Sequence, residues 1–261
     1  TTFLYYDLLT STWTTVDTTG GPGACKWGAI AGNYFYAYGR ARDELYGPGS
    51  LWRFSLLSNT WTELAANENA QYRYYDSIDR SVFFTDGTLL YVWGAWDSGD
   101  TDYLDVFTPS MGVWGQIQTL VPESRYEFAW TVKDGVFWCW DGRPVSGGSP
   151  IGGGAEPAIR SINLTTGALG TFTVGPLGTG NVKGRSSWYE DKFYGFGIDN
   201  YEYPRNVVDM FRENGQHVYG PLTTPSYCTN TPIKYGYRCY IPTVSRAGDN
   251  FTIAAWSWDM R

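Results

Sequence analysis

Residues 6–16 read Tyr6-Asp7-Leu8-Leu9-Thr10-Ser11-Thr12-Trp13-Thr14-Thr15-Val16, and residues 54–64 read Phe54-Ser55-Leu56-Leu57-Ser58-Asn59-Thr60-Trp61-Thr62-Glu63-Leu64. Both end an apolar run on an aromatic residue, cross a polar turn, and open a second run with Thr-Trp. Weaker copies are Leu104 to Trp114, Ile159 to Leu169 and Val207 to Tyr219. Each reads as strand, turn, strand. The large apolar residue that opens the second strand stands at 13, 61, 114, 169 and 219, a repeat of about 50 residues.

Each interval holds two more strand-like runs. Trp27-Gly28-Ala29-Ile30-Ala31 and Tyr34-Phe35-Tyr36-Ala37-Tyr38-Gly39 flank the turn Gly32-Asn33. Arg80 to Phe84 and Leu89 to Trp93 flank Thr85-Asp86-Gly87-Thr88. No stretch keeps a 3.6-residue apolar period, so an all-β chain is expected. At 261 residues with 18% aromatics and 17% charged residues, the chain is long and apolar enough for a sizeable core, which excludes disorder and coiled coil.

Four strands in about 50 residues are the dimensions of a β-propeller blade. The Tyr-Asp-x-x-Thr-x-Thr-Trp run at 6–13 and the Phe-Ser-x-x-Ser-x-Thr-Trp run at 54–61 resemble kelch repeats. The match weakens along the chain, where Leu169 and Tyr219 replace the tryptophan. The paired glycines of kelch repeats give way to Tyr38-Gly39, Trp93-Gly94, Cys139-Trp140, Phe196-Gly197 and Ala255-Trp256. The resemblance implies a single domain, 1–261, of five four-stranded blades at 17–64, 65–117, 118–172, 173–222 and 223–261 plus 1–16. In the last blade, Tyr237 to Trp258 supply the two inner strands and 1–16 the two outer ones. The ring is then closed by the N-terminal strands, which leaves no open sheet edge at the joint.

Charge and residue usage narrow the partners. Twenty-six acidic residues against 19 basic ones give a net charge of −7, which disfavours nucleic acid and anionic membranes. No apolar run reaches the ~18 residues that insertion in a bilayer requires. The single histidine, His217, sits in a turn-like stretch, so an imidazole metal site is not expected, and neither is a Ser-His-Asp triad. Cys25, Cys139, Cys228 and Cys239 have no C-x-x-C spacing, which excludes a zinc ribbon. A closed ring needs no cofactor, and none is expected.

The candidate site is the mouth of the central channel. Five segments lead into the predicted innermost strands: Lys26-Trp27-Gly28, Arg73-Tyr74-Tyr75-Asp76, Arg125-Tyr126-Glu127-Phe128, Lys183-Gly184-Arg185-Ser186 and Arg238-Cys239-Tyr240. Each starts with a cation. Lys26, Arg73, Arg125, Arg185 and Arg238, with Trp27, Tyr74 and Tyr126, compose a ring suited to an anionic or sugar ligand. A bonding role between blades is the other reading, since kelch-like repeats often carry a basic residue there. Asp76 and Glu127 are the acids nearest these strands. Each follows a cation by two or three residues, which suits an ion pair better than the converging carboxylates of a glycoside hydrolase. Copper-radical oxidases of kelch-like build are excluded, because one histidine cannot supply their ligands.

Thirteen tryptophans and 21 tyrosines exceed what sheet packing needs. Trp13, Trp61 and Trp114 are expected between sheets, and Trp96 and Trp140 in loops, where they suit sugars or protein partners. Asn163-Leu164-Thr165 and Asn250-Phe251-Thr252 are N-glycosylation triplets. Cys228 and Cys239 are spaced to close a loop, with Cys25 a competing partner, and Cys139 reads as buried. Pro144 to Pro157 is the longest expected loop. Together these features suggest an extracellular or secreted, non-catalytic module whose partner is another protein or its own copies. The alternatives are a lectin at the basic, aromatic mouth and a glycoside hydrolase. The chain starts at Thr1 without a signal-peptide pattern, as expected where a targeting segment is not visible.

Overall fold

The repeated run folds into the same corner four times. Tyr6 lies opposite Trp13, Phe54 opposite Trp61, Phe107 opposite Trp114 and Ile162 opposite Leu169. Within each corner the fourth residue after the strand end is left-handed: Ser11 at φ 55°, Asn59 at 54°, Gly112 at 69° and Gly167 at 72°. Asn and Gly tolerate that region best, which explains three of the four choices. The last three of these residues also donate their N–H to the strand-end carbonyls of Ser55, Thr108 and Asn163, at 2.9, 2.8 and 2.8 Å. The strand-end side chain caps the turn as well. Asn163 Oδ1 accepts from the N–H groups of Thr165 and Thr166, both at 2.9 Å, and Ser55 Oγ from that of Ser58 at 3.2 Å.

The computed structural model describes residues 2–7, 9–17, 20–22, 25, 27–39, 49–68, 81–94, 103–119, 125–126, 129–140, 143–146, 149–150, 158–173, 184–185, 187–198, 206–212, 222–223, 233–247 and 250–261. Among these every regular element of any length is a strand. They fall into two compact units, Thr1–Gln118 and Thr119–Arg261.

The first unit opens with a hairpin, β1 (Thr2–Asp7) and β2 (Thr12–Asp17). A four-stranded antiparallel sheet follows, with β3 (Trp27–Ala31), β4 (Tyr34–Gly39), β5 (Ser50–Ser55) and β6 (Thr60–Glu63) in chain order. A second sheet repeats the pattern with β7 (Ser81–Thr85), β8 (Leu90–Gly94), β9 (Tyr103–Thr108) and β10 (Val113–Gln118). Tyr38 of the first sheet stacks on Phe83 of the second at 5.3 Å. Leu51, Leu90, Val92 and Phe107 join them in one buried cluster. Each such aromatic side chain contributes roughly 1.5–3 kcal/mol by leaving water.

The second unit contains a sheet of β12 (Ala129–Lys133), β13 (Val136–Trp140), β16 (Ala158–Asn163) and β17 (Leu169–Thr173). A short strand, β18 (Gly184–Arg185), adds to its β12 edge in parallel. The next sheet follows one residue later: β19 (Ser187–Tyr189), β20 (Lys192–Ile198), β21 (Asn206–Arg212) and β22 (Leu222–Thr223). Trp138 and Phe193 meet between these sheets at 5.0 Å. Among the described residues the last sheet has three strands, β23 (Ile233–Tyr235), β24 (Arg238–Ala247) and β25 (Asn250–Asp259).

Several expectations change. Residues 233–259 supply three strands, where two were expected from Tyr237 to Trp258, because the short run Ile233-Lys234-Tyr235 is itself a strand. Within the Pro144 to Pro157 stretch, expected as loop, β14 (Arg143–Ser146) and β15 (Ser149–Pro150) form a ladder with β11 (Arg125–Tyr126). Opposite Val208 stands Leu222, while the expected anchor Tyr219 lies outside the described residues. Trp13 is 40% exposed, while Trp114 packs against the buried cluster of the first unit.

Candidate functional site

The expected ring of cations is only partly placed. Lys26, Arg73, Tyr74, Asp76 and Glu127 lie outside the described residues. Trp27 opens β3, half-buried, opposite Tyr38. Arg125 and Tyr126 form β11, whose backbone pairs with Pro144 and Arg143. Arg185 is in β18, where it pairs with Trp130 at the start of β12. The Arg185 segment thus comes to the start of β12, the strand that the Arg125 segment precedes in the chain. That parallel ladder carries a basic segment from the strand of one sheet to the start of the next.

Arg238 belongs elsewhere. It follows the Gly236-Tyr237 turn and opens the middle strand β24, opposite Asp259. Tyr34 and Val136 hold the same seat in their sheets, opposite Ser55 and Asn163. Arg238 thus stands at the turn end of its sheet, away from the place where a chain enters an innermost strand. The misreading came from taking Arg238-Cys239-Tyr240 as the first strand, one strand too late.

A polar clasp joins the two sheets of the first unit. The connection after β6 returns to pair Asn67 with Gly49 through two backbone hydrogen bonds of 3.2 and 2.8 Å. Asn67 and Asp105 are both fully buried. Asn67 Nδ2 donates to Asp105 Oδ2 at 2.9 Å and lies 3.4 Å from Tyr38 Oη. Gln116 Nε2 donates to Asp105 Oδ1 at 3.0 Å. Trp114 Nε1 donates to the Ala65 carbonyl of the same connection at 2.8 Å. A buried carboxylate is tolerated when such donors replace its water. This clasp orients and locks; it offers no exposed reacting group. Asp105 had a signal in sequence, a lone charge inside Leu104-Asp105-Val106-Phe107.

The exposed chemistry lies on turns. Leu9, Leu57 and Met111 are 93%, 82% and 72% exposed, all within the repeated corners. In the second unit Arg261 lies over the Tyr237 ring at 3.9 Å, and Arg238 lies 5.9 Å from the same ring. Arg261 also grips Asp259 at 2.6 Å, and hydrogen bonds from Arg261 hold the Asp259 carboxyl down at about 2. An aromatic ring beside two guanidiniums, one of them neutralised, is suited to contact and not to proton transfer.

Of the remaining sequence candidates, Asn163 is half-buried with its Oδ1 committed to the corner, and Asn250 opens β25. Cys239 is fully buried in β24 and Cys139 in β13. Cys228 lies outside the described residues. Among the described residues no group of three or more His, Cys, Asp or Glu side chains is placed to hold a metal ion.

Comparison with protein-family models and with curated protein sequences finds no match, so the kelch resemblance rests on the repeats themselves.

Proposed function

We propose that this chain is a non-catalytic extracellular module for protein contact or self-assembly. In this reading the sheets are blades of a five-bladed kelch-like propeller whose ring is closed by the N-terminal strands. The four equivalent corners support the repeat, since each has one left-handed residue at the same place. The observation that carries the function is the exposure of Leu9, Leu57 and Met111 at those corners. The turns of these corners present them, open to an apolar surface on a partner. The two glycosylation triplets support an extracellular setting, with Asn163 on a corner.

The test is light scattering over a wide concentration range on the purified chain and on a Leu9→Glu, Leu57→Glu, Met111→Glu variant. The wild type should associate and the variant should not. Equal behaviour of the two would remove the corners as the contact. A glycan array run in parallel tests the carbohydrate reading: saturable binding lost in Arg73→Ala or Arg125→Ala would make the mouth a sugar site.

A further inference from the structure

The fourth corner differs from the first three in what its strand end offers. That place is held in turn by Asp7, Ser55, Thr108 and Asn163. A cap at this place needs only an acceptor, and Ser55 supplies one with its hydroxyl. At Asn163 the capped groups are the N–H of Thr165 and the N–H of Thr166, both at 2.9 Å. Both partners are donors, so they meet the side-chain oxygen, and the amide nitrogen Nδ2 is surplus to the corner with its two hydrogens. Among the described residues Nδ2 has no hydrogen-bond partner. The Thr165 hydroxyl is likewise uncommitted among them. Turn hydroxyls of the first two corners are instead paired, Thr10 with Thr12 and Ser58 with Thr60, each at 2.7 Å.

The surroundings of Asn163 suit an attachment. Thr165, Thr166 and Ala168 are exposed beside it, while Leu164 is buried with its N–H on the Gly135 carbonyl. Among the described residues this corner alone of the four carries no exposed large apolar side chain. The other triplet, Asn250-Phe251-Thr252, has no such turn, since it runs along β25 opposite Ala247, Arg246 and Ser245.

We propose that Asn163 is an N-glycosylation site, modified at Nδ2, and that the fourth corner thereby carries a sugar where the other three carry exposed apolar side chains. This deepens the proposed function and rests on its extracellular setting. The donor is an oligosaccharide joined through its anomeric carbon to a polyprenyl diphosphate. Nδ2 attacks that carbon, the bond from the carbon to the phosphate oxygen breaks, and the polyprenyl diphosphate leaves. One Nδ2 proton goes to base, and nothing is oxidised or reduced. Oδ1 takes no part, so it goes on accepting from Thr165 and Thr166, and the modified corner keeps its cap.

The test secretes the chain from cultured eukaryotic cells behind an added signal sequence. Peptide-N-glycosidase turns a modified asparagine into aspartate, which mass spectrometry of the tryptic peptide 161–183 reads at residue 163. The expected result is conversion at residue 163 with a faster-running band, kept in Thr165→Ser and lost in Thr165→Ala. Thr165→Ala removes only an exposed hydroxyl, because the cap uses the backbone N–H, and circular dichroism checks that it is folded. A secreted, folded chain unconverted at residue 163 would overturn the site and leave the extracellular reading standing, and so would conversion confined to Asn250. Conversion that persists in Thr165→Ala would overturn the role given to that hydroxyl and the site with it. Retention of the unsubstituted chain inside the cells would overturn the extracellular reading together with the site.

Discussion

Replacing Asn67 by alanine removes a side chain that reaches from the connection after β6 to Asp105 of the second sheet. The backbone bridge to Gly49 needs no side chain and survives. What is lost is the 2.9 Å bond from Nδ2 to the buried Asp105 carboxylate, with the longer approach to Tyr38 Oη. A hydrogen bond to a charged group contributes about 1.5–3 kcal/mol, and stranding its buried partner adds to the loss. Asp105 keeps Gln116, so its desolvation is only partly exposed. The expected destabilisation is about 2–3 kcal/mol. Urea unfolding followed by tryptophan fluorescence measures it as a fall in midpoint at unchanged slope, and hydrogen exchange at the Gly49 and Asn67 amides localises it to the first unit. Combining Asn67→Ala with Asp105→Asn should cost less than the separate losses added together, since one bond cannot be removed twice. A loss under about 0.5 kcal/mol for Asn67→Ala, the range of an ordinary surface change, would refute the clasp as a stabilising contact.

Other substitutions probe the same architecture. In Gly49→Ala the new Cβ would stand 2.0 Å from Tyr38 Oη, so Tyr38 must leave its stack on Phe83; a loss of about 1–3 kcal/mol is expected in the same urea assay. At the corners, Gly112→Ala meets no atom within 4 Å yet forces alanine to a φ of 69°, at a cost of about 1–2 kcal/mol, while Asn59→Gly should be near neutral. Burial first, then nearby carboxylates, pushes the Tyr194 hydroxyl up to about 12 from its ordinary 10. The unfolded chain therefore gives up this proton first, and the stability present below pH 10 falls as pH rises through the range 10 to 12. Tyr194→Phe should lose the bond to the Met260 carbonyl, roughly 1 kcal/mol, and flatten that alkaline decline in thermal melts.

The corners were legible because their information is local. A polar strand end, a residue able to turn left-handed and a large apolar residue two positions later recur in eleven-residue windows, and the cross-strand pairs fall where those windows place them. Ile233-Lys234-Tyr235 was missed because three residues give no alternation to read, and this shifted Arg238 by one strand. Asn67 and Asp105 stand 38 positions apart, and nothing near Asn67 marks it as a core residue. Only the lone acid in an apolar strand pointed there. The basic segments before the inner strands were visible, but what they share in space depends on how sheets follow one another. Residue spacing along the chain does not contain that.

The four-stranded sheets draw on strands consecutive in the chain, which has a consequence for how the protein is made. Each hairpin corner can close within microseconds of its own residues becoming available, without waiting for distant partners. During synthesis the first sheet can be complete while the later ones are still being translated. The parallel pair of β18 with β12 breaks that pattern. Its two halves lie about 55 residues apart, so it becomes available only once β12 to β17 have been made, and it is the last ladder of that sheet to close.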